Sequence, residues 1–218
     1  MVEKKKIEQL YALLKERHGA KADPATWWPI FYGRIVPPEF ERLITNILVQ
    51  NSNWKAVPAA VEALKTKELL QASAIAKAPV EQIAACIRPT GLQLQKAGRL
   101  RNICAQVVEE FGSEAIFCRN VTRAQLLRME GIGEPTADRT LLYVCGRLEW
   151  PVDAYCLRVL AHYGVLESLP RTSHARERCA LEIKQLVHRA MPRMLEDWQR
   201  LHALMQLEGT ILPVGQHS

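Results

Sequence analysis

A lone aspartate, Asp153, has a side chain and a position that could do chemistry. It follows Val152 and precedes an apolar run with helical spacing, so its carboxylate can cap that helix. The positive end of the helix dipole favours the ionised carboxylate. Such an anion could stabilise positive charge in a transition state, and could orient or deprotonate a water molecule. The alternative is an N-cap without chemical function, which is common and contributes about 1 kcal/mol to stability.

Upstream of this aspartate, two glycines enclose an aliphatic residue in the segment Gly131-Ile132-Gly133. The glycines permit a tight turn with positive φ and a close approach of the backbone to another molecule, and Ile132 can anchor the turn in a core. Pro135 suits the first turn of the next helix, which we expect from Thr136 to about Arg147. The free N–H groups of that turn would suit a phosphate.

The segment before the glycines predicts a short helix. Thr122 can cap it, and Gln125 three residues later completes a capping box. Leu126, Leu127 and Met129 are its apolar positions. The sequence therefore predicts helix, hairpin and helix over about 122–147.

Composition limits the class of protein. The 218 residues are 48% hydrophobic, which suffices for a core, and carry a formal charge of +6, which favours an anionic partner without identifying one. The six cysteines form no CxxC pair, so we expect reduced thiols in a cytosolic protein. No apolar run reaches the roughly 20 residues of a membrane span, and no signal peptide is evident.

The remaining pattern is helical. Apolar residues recur at helical spacing from Glu3 to about His18 and in most later segments, whereas no stretch predicts a convincing strand. The exception is the segment from Asp23 to Pro38, in which prolines and aromatic residues predict an ordered loop. We therefore predict an all-α protein.

The hairpin and the following aspartate together resemble the helix-hairpin-helix DNA glycosylases of the endonuclease III superfamily. The residues that carry the resemblance are Leu126, Met129, Gly131, Ile132, Gly133, Thr136, Ala137, Val152 and Asp153. The resemblance implies two helical domains with an active-site cleft between them. It places a six-helix module at 36–147 and a second domain, with the catalytic aspartate, at 1–35 plus 148–218.

The resemblance also assigns functions to these residues. Gly131, Ile132, Gly133 and Thr136 would contact DNA. Asp153 would stabilise the oxocarbenium-like sugar formed when the N-glycosidic bond breaks. Carbonyl groups around Met129 and Ile132 could hold a structural monovalent cation beside a phosphate.

Two departures from the superfamily pattern define the expected reaction. Members that also cut the strand carry a lysine nucleophile where this chain has Pro135, which has no amine, so we expect a monofunctional enzyme without AP lyase activity. Members with an iron–sulfur cluster carry four closely spaced cysteines near the end of the chain, whereas no cysteine follows Cys179 here. We expect no cluster and no other metal cofactor.

A third departure lies near the end of the chain. Relatives often have His-Gly followed by a basic residue where this chain has Glu208-Gly209-Thr210, so any function of that basic residue is in doubt here.

Aromatic residues suggest the substrate. Trp27-Trp28-Pro29 and Trp54 could form a pocket for a flipped base, because indoles stack on any base and attract cationic ones more strongly. Their order resembles the 3-methyladenine DNA glycosylase III branch, in which the base lies between the aromatic residues matching Trp27 and Trp54. The alternative for each tryptophan is ordinary packing in a core or between domains.

Two more residues are candidates for DNA contact. Gln50 resembles the residue that fills the space left by the flipped nucleotide, or is a polar helix end. Leu92 resembles an apolar wedge, or is a buried loop leucine. Lys96, Arg99 and Arg101 face either phosphate or solvent.

The sequence thus predicts a monofunctional DNA glycosylase that hydrolyses alkylated purines, 3-methyladenine first, in base excision repair. The alternatives are a glycosylase for another lesion on the same fold and a non-catalytic helix-hairpin-helix DNA-binding protein. We expect a monomer that binds double-stranded DNA with a flipped base, needs no membrane, and lies in the cytoplasm at a bacterial nucleoid.

Overall fold

A computed structural model describes residues 2–23, 27–28, 37–52, 54–170 and 172–213. These residues form twelve α-helices, and none of them lies in a β-strand, which confirms the all-α prediction. The helices are α1 Val2–His18, α2 Phe40–Leu48, α3 Val57–Thr66, α4 Ala72–Lys77, α5 Val80–Ile87, α6 Gln93–Gln106, α7 Glu114–Asn120, α8 Arg123–Arg128, α9 Glu134–Tyr143, α10 Ala154–His162, α11 Ser173–Ala190 and α12 Leu195–Ile211.

The chain divides into two compact units, Pro29–Cys145 and Met1–Trp28 with Gly146–Ser218. In the first unit, α2 has eight of its nine residues buried. Its polar residue Asn46 donates hydrogen bonds to the Thr136 carbonyl at 3.2 Å and to Thr140 Oγ1 at 3.0 Å. Buried amides need such partners, so these bonds fix α9, the helix after the glycine turn, against α2.

The second unit is built from helices near both ends of the chain. In α1, Ile7, Leu10 and Leu14 are buried at helical spacing, which confirms the amphipathic first helix. This helix packs on α11 and α12, and α10 packs on α12. Trp150 and Trp198 are fully buried with their rings edge to face, 6.2 Å between centroids.

All six cysteines are free, and four of them are buried. Burial raises the pKa of each of these four thiols, to about 12 for Cys118, so they are protonated at neutral pH. The buried residues are Cys86, Cys104, Cys118 and Cys156.

None of the helices in the described ranges is long and apolar enough to cross a membrane.

Candidate functional site

The predicted hairpin is present between α8 and α9. Thr122 and Gln125 form the reciprocal capping box at the start of α8. The chain then turns, and the N–H of Ile132 donates to the Met129 carbonyl at 3.1 Å. Ile132 is buried, as expected for the anchor of the turn.

Only one glycine of the turn uses a left-handed conformation. Gly131 has φ +85°, whereas Gly133 is extended and serves as the N-cap of α9. A Cβ atom at Gly131 would also meet the side chain of Arg99, which would have to shift to make room for it. The expected tight turn with positive φ is therefore present, and Gly131 is the glycine that provides it.

The helix after the hairpin begins and ends earlier than predicted. It runs over Glu134–Tyr143, with Pro135 in its first turn. The N–H groups of Val144 and Cys145 both donate to the Thr140 carbonyl, and Gly146 follows with φ +62°. Gly146 is the local sequence signal for an end before Arg147, because a glycine in the left-handed conformation commonly follows the last turn of a helix.

Gln50 lies against the hairpin. Its Nε2 donates to the Gly131 carbonyl at 3.0 Å and to Thr136 Oγ1 at 3.3 Å, and its Oε1 accepts from Arg99 at 3.2 Å. Both ends of the amide are therefore occupied by groups at or beside the hairpin. This arrangement joins two of the predicted DNA-contact segments.

Leu92 is exposed on a strained turn. The residue is 53% exposed, so it is not a buried loop leucine. Gly91 and Leu92 both have positive φ, at +69° and +49°. A branched side chain in the left-handed region is uncommon, and such strain concentrates at functional sites.

Lys96 differs from both expectations, because it faces neither phosphate nor solvent. It is 1% exposed, and its Nζ donates to the carbonyls of Leu48 at 2.7 Å and Thr90 at 2.8 Å. Burial lowers the pKa of its ammonium group, and the charge of Arg99 lowers it further. The sequence could not show this, because both partners are backbone groups of other segments.

Asp153 caps α10 as predicted. Its Oδ1 accepts hydrogen bonds from the N–H groups of Tyr155 at 3.1 Å and Cys156 at 3.0 Å. Its Oδ2 accepts one from Gln206 Nε2 at 2.9 Å and lies 3.7 Å from His202 Nε2. The carboxylate is only 13% exposed, and its two oxygens have separate partners. The helix end and α12 together fix its orientation.

Gln206 and His202 are site residues that the sequence analysis missed. They lie one turn apart on α12, with Gln206 Nε2 3.4 Å from the almost fully buried imidazole of His202. Two polar residues at this spacing in a buried helix could have suggested a polar site. The partner of that site, however, lies 53 residues away in the chain.

The candidate pocket tryptophans differ in exposure. Trp28 is buried, which favours packing, whereas Trp27 is partly exposed. Trp54 is partly buried against the core of its own unit and opens a short 3-10 turn, Trp54–Ala56, rather than an α-helix. Pro29 lies outside the described residues. The assignment of these residues to a base pocket stays a prediction.

Glu208 has a defined structural setting. It is fully buried, and it accepts hydrogen bonds from Arg17 at 2.7 Å and Tyr163, while His18 Nε2 lies 2.6 Å away. Burial alone would raise the pKa of Glu208, but the hydrogen bonds of Tyr163 and His18 and the charge of Arg17 lower it below its ordinary value. The carboxylate thus connects α12 to the end of α1 and to the end of α10.

Replacing Glu208 by glutamine is expected to lower the free energy of unfolding by about 2 kcal/mol at neutral pH, because the buried charge network loses its central carboxylate. Water can solvate the half-exposed Arg17 that is left without this partner, which limits the loss. The lowered pKa means that this stability is present above the unfolded pKa and disappears as the pH falls through the folded pKa. Urea unfolding at neutral and acidic pH tests this, with the exposed Glu182→Gln as control. Equal stability of wild type and Glu208→Gln at neutral pH would contradict it.

Within the described ranges, no three His, Cys, Asp or Glu side chains come together to hold a metal ion. At the hairpin, the Met129 carbonyl accepts from Ile132 and the Gly131 carbonyl accepts from Gln50. A monovalent cation at this turn stays a prediction.

Residues 44–185 match the family described as "HhH-GPD superfamily base excision DNA repair protein". The chain is 30% identical over 204 residues to a Methanocaldococcus jannaschii protein named "Putative DNA repair glycosylase", a match that covers 91% of this chain and 84% of that protein.

Solved structures show the same fold. The H. pylori 3-methyladenine DNA glycosylase bound to 1,N6-ethenoadenine is 27% identical with a TM-score of 0.70, over 92% of this chain and 95% of that one. A non-covalent endonuclease III–DNA complex has a TM-score of 0.71 at 21% identity, over 96% of this chain and 88% of that one.

Proposed function

Because the chain belongs to the HhH-GPD superfamily of base excision DNA repair proteins and is a DNA glycosylase of that superfamily, we propose that it is monofunctional and removes alkylated purines, 3-methyladenine first. The reaction hydrolyses the bond between C1′ of the sugar and the base. The bonding electrons leave with the base, and the oxygen of water forms the new bond to C1′.

The observation that carries this proposal is the setting of Asp153. Two backbone N–H groups hold one carboxylate oxygen, and Gln206 holds the other. A carboxylate fixed in this way needs little reorganisation to stabilise positive charge on the sugar, and it can accept the proton of the attacking water. A protein that only binds DNA would use such a group as a helix cap and for no chemistry.

Water is the proposed nucleophile because Pro135 stands in the first turn of α9, where lyase members of the superfamily carry a lysine. No lysine occurs between Lys96 and Lys184, and the Lys96 ammonium already binds two carbonyls. The product is then an intact strand with an abasic site. We also propose that the enzyme has no iron–sulfur cluster, since its cysteines stand singly along the sequence. A monomer is the default that goes with this proposal.

The proposed substrate rests on the tryptophans and on one structural relative. Trp27 and Trp54 are partly exposed, and an indole face attracts electron-poor methylated purines more strongly than normal bases. The H. pylori relative binds 1,N6-ethenoadenine, a modified purine. Gln50 would fill the space that the flipped nucleotide leaves in the duplex, and exposed Leu92 would enter the opposite strand as an apolar wedge.

The test is release of free bases from DNA treated with a methylating agent, followed by chromatography that separates 3-methyladenine from 7-methylguanine. We expect 3-methyladenine in the soluble fraction and strand breaks only after alkali treatment. Strand breaks without alkali would contradict the monofunctional assignment. Absence of methylated bases, with DNA binding retained, would contradict the substrate and favour a glycosylase for another lesion.

A further inference from the structure

The buried lysine of α6 is not used in the proposed chemistry. Burying an ammonium group is costly, and its two hydrogen bonds to carbonyls compensate for lost water without a paired acid at either contact. An apolar side chain would fill such a position at lower cost. The placement of Lys96 therefore calls for a reason other than stability.

The two carbonyl partners suggest that reason. Leu48 ends α2, two residues before Gln50, and Thr90 ends a 3-10 turn, two residues before Leu92. Each carbonyl thus lies just before a residue proposed to enter the DNA duplex. One ammonium group sets the distance between these two segments.

Arg99, three residues after Lys96 on α6, extends the arrangement to the hairpin. It donates to Gln50 Oε1 at 3.2 Å, and its aliphatic part lies against Gly131. Among the described residues, its buried Nε has no hydrogen-bond partner. One helix face therefore contacts three segments that are far apart in sequence: the end of α2, the Leu92 turn and the hairpin.

We propose that Lys96 and Arg99 are positioning residues that hold Gln50, Leu92 and the Gly131 hairpin in register, so that the space left by the flipped base is filled while the strand is bound. This inference rests on the proposed function. Neither residue needs to contact the base. Their effect should depend on whether the DNA has a base pair to open, because opening costs a few kcal/mol that the filling residues return.

The experiment uses an oligonucleotide whose only purine is one adenine, methylated and annealed to complements with either thymine or an abasic-site analogue opposite it. Single-turnover release of 3-methyladenine is measured for wild type, Lys96→Met, Arg99→Met and the exposed Lys77→Met as matched control. Binding is measured in parallel on an undamaged duplex and on a duplex that contains the abasic analogue. Thermal unfolding checks that each variant is folded.

We expect Lys96→Met to lose about a hundredfold in rate on the paired substrate, and less than about tenfold opposite the abasic analogue. Its preference for the abasic duplex over the undamaged one should fall, whereas Lys77→Met behaves as wild type. Arg99→Met should show the same pattern. Because Arg99 is partly exposed, this variant still tests the inference if Lys96→Met does not fold.

Equal losses on both substrates, with the binding preference kept, would overturn the inference and leave the proposed function intact. No release by wild type from either duplex would contradict the proposed function instead. In that case the binding preference, which needs no catalysis, still decides whether Lys96 and Arg99 position the segments.

Discussion

An Asp153→Asn variant is expected to release methylated bases about a thousandfold more slowly than wild type, with duplex binding retained. Asparagine is as good an N-cap as aspartate, so its side-chain oxygen can still accept from the N–H groups of Tyr155 and Cys156. What it loses is the charge that stabilises the sugar cation and accepts the proton of water. Single-turnover base release, with binding measured on the same DNA, checks this result.

Two further variants separate charge from capping. Asp197→Asn makes the same replacement at an aspartate of α12 that accepts from Tyr11, and it should keep full activity. Asp153→Ala removes both charge and cap, so it should also lose about 1 kcal/mol of stability. An Asp153→Asn protein with wild-type rates would show that the aspartate is only a cap.

A Trp27→Ala variant is expected to lower 3-methyladenine release by about 10- to 100-fold, since base stacking on an aromatic ring contributes about 1–3 kcal/mol. Binding to undamaged duplex should change little, because no flipped base is present. The measurements are kcat/KM on methylated DNA and Kd on undamaged DNA.

Trp27→Phe is the matched control for this prediction. Phenylalanine keeps a flat ring at the partly exposed position, so most of the activity should remain. Equal losses of excision and of undamaged-duplex binding in Trp27→Ala would contradict the pocket and indicate a packing role.

The features predicted correctly from sequence are local. The capping box of Thr122 and Gln125 and the helix cap of Asp153 each join residues two or three positions apart, so their spacing alone specifies them. The amphipathic first helix follows from its own periodicity in the same way. For these elements, sequence and structure agree because the partners are neighbours in the chain.

The features missed depend on partners elsewhere in the chain. Lys96 looked like a surface lysine because its carbonyl partners are backbone groups, which no residue type reveals. Gln206 is 53 residues from Asp153, and Glu208 meets Arg17 across 191 residues. Such contacts become visible only when helix packing is known.

The burial of the cysteines has a consequence for the survival of the protein itself. Methylating agents react with thiolates as well as with DNA bases, and the thiolate is the reactive form of cysteine. In Cys104, Cys118 and Cys156, burial both removes the sulfur from solvent and raises the pKa of the thiol. An enzyme with the proposed substrates would work in the presence of methylating agents. The burial of these three thiols would protect the protein from methylation by the same compounds that damage the DNA.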